Sequence, residues 1–140
     1  DNGTTWTSRT GTSDNLHSVT HGNNTYVVVG QGGVLLTSTD GTTWDNRTSG
    51  TSNNLPGGTY GNSTFVAVGA SGTILTSSDA TTWTSRTSGT SNKLRGVTYG
   101  NSTFVAVGVS GTILTSSDAT TWTSRTSGTS LKFRRVFYKE

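Results

Sequence analysis

Short apolar runs recur along this chain, separated by clusters of Gly, Asn, Ser and Thr. Phe65-Val66-Ala67-Val68 and Phe104-Val105-Ala106-Val107 are apolar at every position. They show no helical spacing and predict strands covered on both faces. Trp83-Thr84-Ser85-Arg86 alternates in character, which predicts a strand with one face in water. Gly22-Asn23-Asn24 and Gly30-Gln31-Gly32-Gly33 are turn signals, with Gly and Asn supplying positive φ for tight hairpins. The first unit therefore reads as strand A at Leu16–Thr20, B at Tyr26–Val29, C at Val34–Ser38 and D at Thr43–Thr48. In the second, an A strand ends at Tyr60, and Phe65–Val68, Thr73–Thr76 and Thr82–Thr87 follow. The third repeats this as Leu94–Tyr99, Phe104–Val107, Ile113–Thr115 and Thr121–Thr126.

The units are copies of one another. Residues 60–91 and 99–130 are identical except that Ala70 becomes Val109, and Trp6, Trp44, Trp83 and Trp122 stand 38, 39 and 39 residues apart. A period of this size belongs to solenoids, propellers or arrays. Covered inner strands with a half-exposed outer strand are what a propeller blade requires. The predicted fold is all-β: four-stranded antiparallel β-propeller blades, three of them complete. They are flanked by a lone N-terminal D strand, Thr4–Thr10, and a lone C-terminal A strand, Lys132–Lys139, with Phe133 at the place of Leu94. Residues 1–140 read as one partial domain with repeats at about 11–49, 50–88 and 89–127. Pro56 falls in a strand A where other units carry His17 and Arg95. Its missing N–H predicts a weakened or bulged strand there.

Composition narrows the chemistry. The 140 residues include no Cys, which excludes disulfides and thiolate metal sites, and no Met. The chain opens at Asp1 inside a repeat, as a processed product, a fragment or an engineered copy would. No apolar run is long enough to span a membrane. The net charge is +3. Part of it sits in Lys132, Arg134, Arg135 and Lys139, which read as a solvated terminal strand. Nucleic acid is not the favoured partner. Sequons at Asn2, Asn23, Asn46, Asn62 and Asn101 matter only in a glycosylating pathway, and three of them also suit the A-to-B turn. Localisation stays open, with the extracellular space or cell surface favoured.

The segment before each Trp carries a motif. Ser38-Thr39-Asp40-Gly41-Thr42-Thr43-Trp44, Ser77-Ser78-Asp79-Ala80-Thr81-Thr82-Trp83 and Ser116-Ser117-Asp118-Ala119-Thr120-Thr121-Trp122 resemble the Asp-box, or BNR repeat, of sialidase-like β-propellers. Asp1-Asn2-Gly3-Thr4-Thr5-Trp6 has that family's spacing, and the internal copies are one residue shorter between Asp and Trp. The resemblance implies a structural box away from any active face. Asp1, Asp40, Asp79 and Asp118 would then lock turns that Trp6, Trp44, Trp83 and Trp122 cover. The physics agrees, since an Asp carboxylate can accept backbone N–H bonds inside such a turn and a Trp ring covers it.

The resemblance also raises catalysis. Sialidase-like enzymes combine three converging arginines, a Tyr–Glu pair and an acid Asp. Here Glu140 is the only Glu, and Arg9, Arg47, Arg86 and Arg125 recur once per unit, three residues after a Trp. They read as outer-strand charges packed along the Trp, and the chain reads as no enzyme. His17 and His21 lie on one side of a strand without a third ligand, so neither metal nor cofactor is expected. Two non-catalytic readings remain. One is a scaffold or multivalent binder, with Asn54, Tyr60, Lys93 and Tyr99 as candidate ligand residues and a glycan as candidate ligand. The other is a fragment or engineered propeller without a ligand. Three units cannot close a ring, so the expected partner is the chain itself, with a dimer favoured.

Overall fold

In the computed structural model, which describes residues 3–139, each repeat folds into its own four-stranded sheet. The first holds β1 (Leu16–Gly22), β2 (Thr25–Gly30), β3 (Leu35–Ser38) and β4 (Asp45–Asn46). The second holds β5 (Gly57–Gly61), β6 (Thr64–Val68), β7 (Ile74–Ser77) and β8 (Thr84–Arg86). The third holds β9 (Leu94–Gly100), β10 (Thr103–Gly108), β11 (Ile113–Ser116) and β12 (Thr123–Arg125). All pairings are antiparallel between sequence neighbours. The first strands lie side by side, β1 against β5 and β5 against β9. They form the inner edge from which the sheets fan out.

The turns explain the regularity. Asn23 and Asn24, Asn62 and Ser63, and Asn101 and Ser102 all have φ between 44° and 60°. Two successive positive φ values make type I′ hairpins, whose twist matches the flanking strands. Between second and third strands, a short 3-10 turn at Gln31–Gly33 and at Ala70–Gly72 replaces a simple hairpin. Gly72, at φ +67°, abuts the carbonyl oxygen of Thr90 in the next loop, so a side chain there meets both strain and backbone.

The core lies between sheets. Phe65 and Ala67 pack toward the first sheet, with Val27, Val29, Leu35 and Leu55. Val66 and Val68 pack toward the third, with Leu94, Phe104, Ala106 and Leu114. This confirms a second strand covered on both faces. At the rim of each contact a tyrosine ring lies on a glycine: Tyr60 on Gly22, Tyr99 on Gly61 and Tyr138 on Gly100. A Cβ at any of those glycines would enter the ring. The hydrogen bonds Leu55 N–H to Gly30 O at 2.9 Å and Leu94 N–H to Gly69 O at 3.0 Å stitch successive sheets.

Three expectations need correction. The outer strands are shorter than read, two or three residues instead of six, because their flanks are tied into loops by Ser and Thr hydroxyls. The segments read as loose strands, Thr4–Thr10 and Lys132–Lys139, join no ladder among the described residues. A first strand pairs with a second and an outer strand with a third, and this chain sets neither beside them. The C-terminal segment still runs in the place of a fourth inner strand, since Phe133 N–H donates to Gly108 O at 2.9 Å as Leu55 and Leu94 do one and two repeats earlier. Finally, Pro56 does not create a bulge of its own. Register shifts occur at His17 in the first sheet and opposite Arg95 in the third. The second sheet has no such shift: β5 begins only at Gly57 and is five residues long against seven for β1 and β9, so Pro56 precedes a shortened strand and its missing N–H costs no ladder bond.

Candidate functional site

The recurring chemistry of the repeat is concentrated in three places: the turn before each Trp, the loop joining successive sheets, and the start of each inner strand, which is bulged in the first and third sheets.

In the turn, Asp40 Oδ1 accepts from Thr42 N–H at 2.7 Å and Thr43 N–H at 2.8 Å, and Ser38 Oγ donates to the same oxygen. Asp79 receives Thr81 and Thr82 N–H, both at 2.8 Å, and Asp118 receives Thr120 and Thr121 N–H at 2.8 and 2.9 Å. The two backbone donors, helped by the serine, hold the Asp40 and Asp79 carboxyls down at about 2, and the same bonds lower that of Asp118. Such a group is ionised and fully engaged at neutral pH, which suits a lock and not a proton donor. Trp83 and Trp122 donate from Nε1 to the Ala80 and Ala119 carbonyls, at 3.1 and 3.0 Å, and pack near Phe65 and Phe104. Both rings, like that of Trp44, are half-buried and not enclosed. Trp6 makes the equivalent bond to Gly3 O at 2.9 Å but is 88% exposed. Asp1 lies outside the described residues.

Three of the four arginines that follow a Trp have a partner that the pattern did not disclose. Arg47, Arg86 and Arg125 donate from Nε to Thr37, Thr76 and Thr115 Oγ1 at 2.8–2.9 Å, joining the outer strand to its neighbour. The signal was available as a Thr ten residues before each Arg, facing it across one hairpin.

The four candidate ligand residues are not brought together. Asn54 and Lys93 open their inner strands, while Tyr60 and Tyr99 lie near the far ends of β5 and β9. Asn54 O and Lys93 O accept from Ala70 and Val109 N–H at 3.0 Å, and Asn54 Oδ1 takes Gly32 N–H at 2.9 Å. Tyr60 and Tyr99 stack at 4.5 Å from Phe65 and Phe104. Each has a duty within or between sheets.

The residues at the repeat position of the His17 and Arg95 bulges, by contrast, converge. His17, Pro56, Arg95 and Arg134 occupy one repeat position, and all four line a cavity of about 580 Å³ at the inner edge. Ser18, Gly57, Gly96 and Arg135 occupy the next position and line it as well. Gly57 and Gly96 permit close approach: a Cβ on Gly57 would sit 3.1 Å from the Gly96 Cα, and one on Gly96 would sit 3.2 Å from the Arg135 Cα. A bulge re-aims the side chain it carries. The position is visible in the sequence once the repeats are aligned. Its convergence is not, because periodicity does not report which residue leaves the ladder.

Three meandering four-stranded sheets arranged by their first strands are blades of a β-propeller. No family model matches the chain, and no curated protein matches it. Among solved structures it is similar to the β-propeller YCF48 bound to D1 peptide. The TM-score is 0.69 and the identity 17%, covering 81% of this chain and 40% of that one. The chain therefore spans less than half the length of that structure, and the likeness concerns the fold.

Proposed function

We propose that the chain is a non-catalytic propeller module that closes its ring with a second copy and works as a scaffold or binder. One observation carries this: side chains enclosed between inner blades are bare at the same repeat positions on the first blade. Leu55 and Leu94 are 0% exposed, whereas Leu16 is 49% exposed, and Val19 on the same strand is 63% exposed. At the other end Leu131, Phe137 and Tyr138 are exposed. The missing cover for the first blade has the shape of a further blade of the same kind, and a second copy supplies that shape by continuing the existing blade-to-blade contact. Two copies bring six complete blades, within the usual range of closed rings. The engaged carboxylates support a non-catalytic reading, and the similar YCF48 structure, which holds a peptide, supports binding as the role of such a fold. A repeated ligand such as a glycan fits the same reading, because successive blades offer nearly identical surfaces.

Val19→Asp tests the interface. Placing a carboxylate in a face that must become dry should leave the chain monomeric in sedimentation while its far-UV spectrum is kept. A variant that sediments as the parent does removes this face from the interface.

A further inference from the structure

The cavity at the inner edge has a chemistry of its own. Arg95, Arg134 and Arg135 line it together with His17, and none of the described residues lining it is acidic. Arg95 Nε is buried without a hydrogen-bond partner among the described residues. A guanidinium is always charged and brings five donors. Burying one of those donors unpaired is unfavourable, and a turn of the side chain toward an acceptor in the cavity would relieve it. Arg47, Arg86 and Arg125 satisfy the corresponding atom on a threonine, and Arg95 does not. The remaining walls, Ser18, Val19, Pro56, Gly57, Gly58, Gly96, Val97 and Val136, offer no second charge to quench the arginines.

We infer that this cavity binds a compact polyvalent oxyanion, one carrying two or more phosphate or carboxylate groups a few ångströms apart. Guanidinium forks recognise both groups by paired hydrogen bonds. No Phe, Tyr or Trp lines the cavity, which leaves it without the large stacking platform that single-stranded nucleic acid uses. The volume suits a small molecule. The site is built within one chain and so does not depend on ring closure. In a closed ring, two copies would set two such arginine groups around one channel.

Titration calorimetry of the full chain with tripolyphosphate in one arm and citrate in the other tests this at fixed ionic strength. The expected result is saturable binding of one anion per chain, and the stronger arm names the phosphate or carboxylate source. Arg95→Gln should weaken it at least tenfold while the ligand-free melting temperature stays level or rises, because an unpaired donor has been removed. Arg134→Gln should weaken it in the same direction. Arg86→Gln, which removes an equal charge on the outer strand, should leave it unchanged. The inference is overturned by unsaturable heats in both arms, by equal losses in Arg86→Gln and Arg95→Gln, or by an Arg95→Gln variant that melts lower and binds as before. Solution mass measured in the same buffer reads ring closure separately.

Discussion

The first and second blades carry nearly the same residues and live in different surroundings. Tyr26 and Phe65 hold the same repeat position; Phe65 is 1% exposed between two blades and Tyr26 is 38% exposed on the open side. Leu16 and Leu55 differ in the same sense. Both residues hold the same ladder position, Tyr26 opposite His21 and Phe65 opposite Tyr60, so backbone pairing there does not make the difference. What the second blade has is a neighbour on each side. Hydrophobic stabilisation scales with apolar area taken from water, and in a repeat protein much of that area belongs to the contact between units. A blade is thus a local solution to hydrogen bonding and an incomplete solution to burial.

The comparison can be broken by paired substitutions. Phe65→Ala should cost about 3–5 kcal/mol, the usual penalty for emptying a buried aromatic site. Tyr26→Ala should cost less than half of that at dilutions where the chain is alone. Equal costs in thermal melts would mean that the first blade is already covered. Next, Leu55→Ala should cost about 2–5 kcal/mol, and Leu16→Ala distinctly less. If Leu16→Ala becomes as costly at high protein concentration, the second copy has covered that strand. A smaller effect is expected at the turns. Trp83→Ala should cost about 2 kcal/mol, below the range for a fully enclosed ring, and Trp6→Ala should stay within about 0.5 kcal/mol, as an exposed site does.

Much of this fold could be read from particular residues. The doubly apolar Phe65-Val66-Ala67-Val68 run does lie between two sheets, and the Asn pairs at the hairpins do adopt positive φ. The Asp carboxylates of the Ser-x-Asp turns accept backbone N–H bonds within the turn. The bulge was not legible, because Arg95 and His17 look like ordinary members of an alternating strand until pairing shows them outside it. Tyr60 and Tyr99 stand at the ends of A strands and read as candidate ligand residues, because the pattern does not show what their rings touch. In the structure each ring lies on the glycine of the preceding blade, a contact 38 residues away in sequence between Tyr60 and Gly22 and again between Tyr99 and Gly61.

The smallest expected effect is acid sensitivity. The folded Asp79 carboxyl titrates at about 2, below its ordinary 3.8, because backbone N–H donors favour the ionised form. A carboxyl lowered on folding contributes stability that is present above about pH 4 and is lost as pH falls toward about 2. Asp79→Asn should flatten part of that loss in melts taken across this window. An unchanged acid profile would show that the turn does not draw stability from the ionised carboxylate.

Light scattering of the unmodified chain at micromolar concentration bears most directly on the open first blade. If its bare positions are covered by a second copy, the mass should be about twice the 14.6 kDa of one chain, falling toward one chain on dilution. A mass of one chain at all concentrations, with a single cooperative melt, would contradict the account.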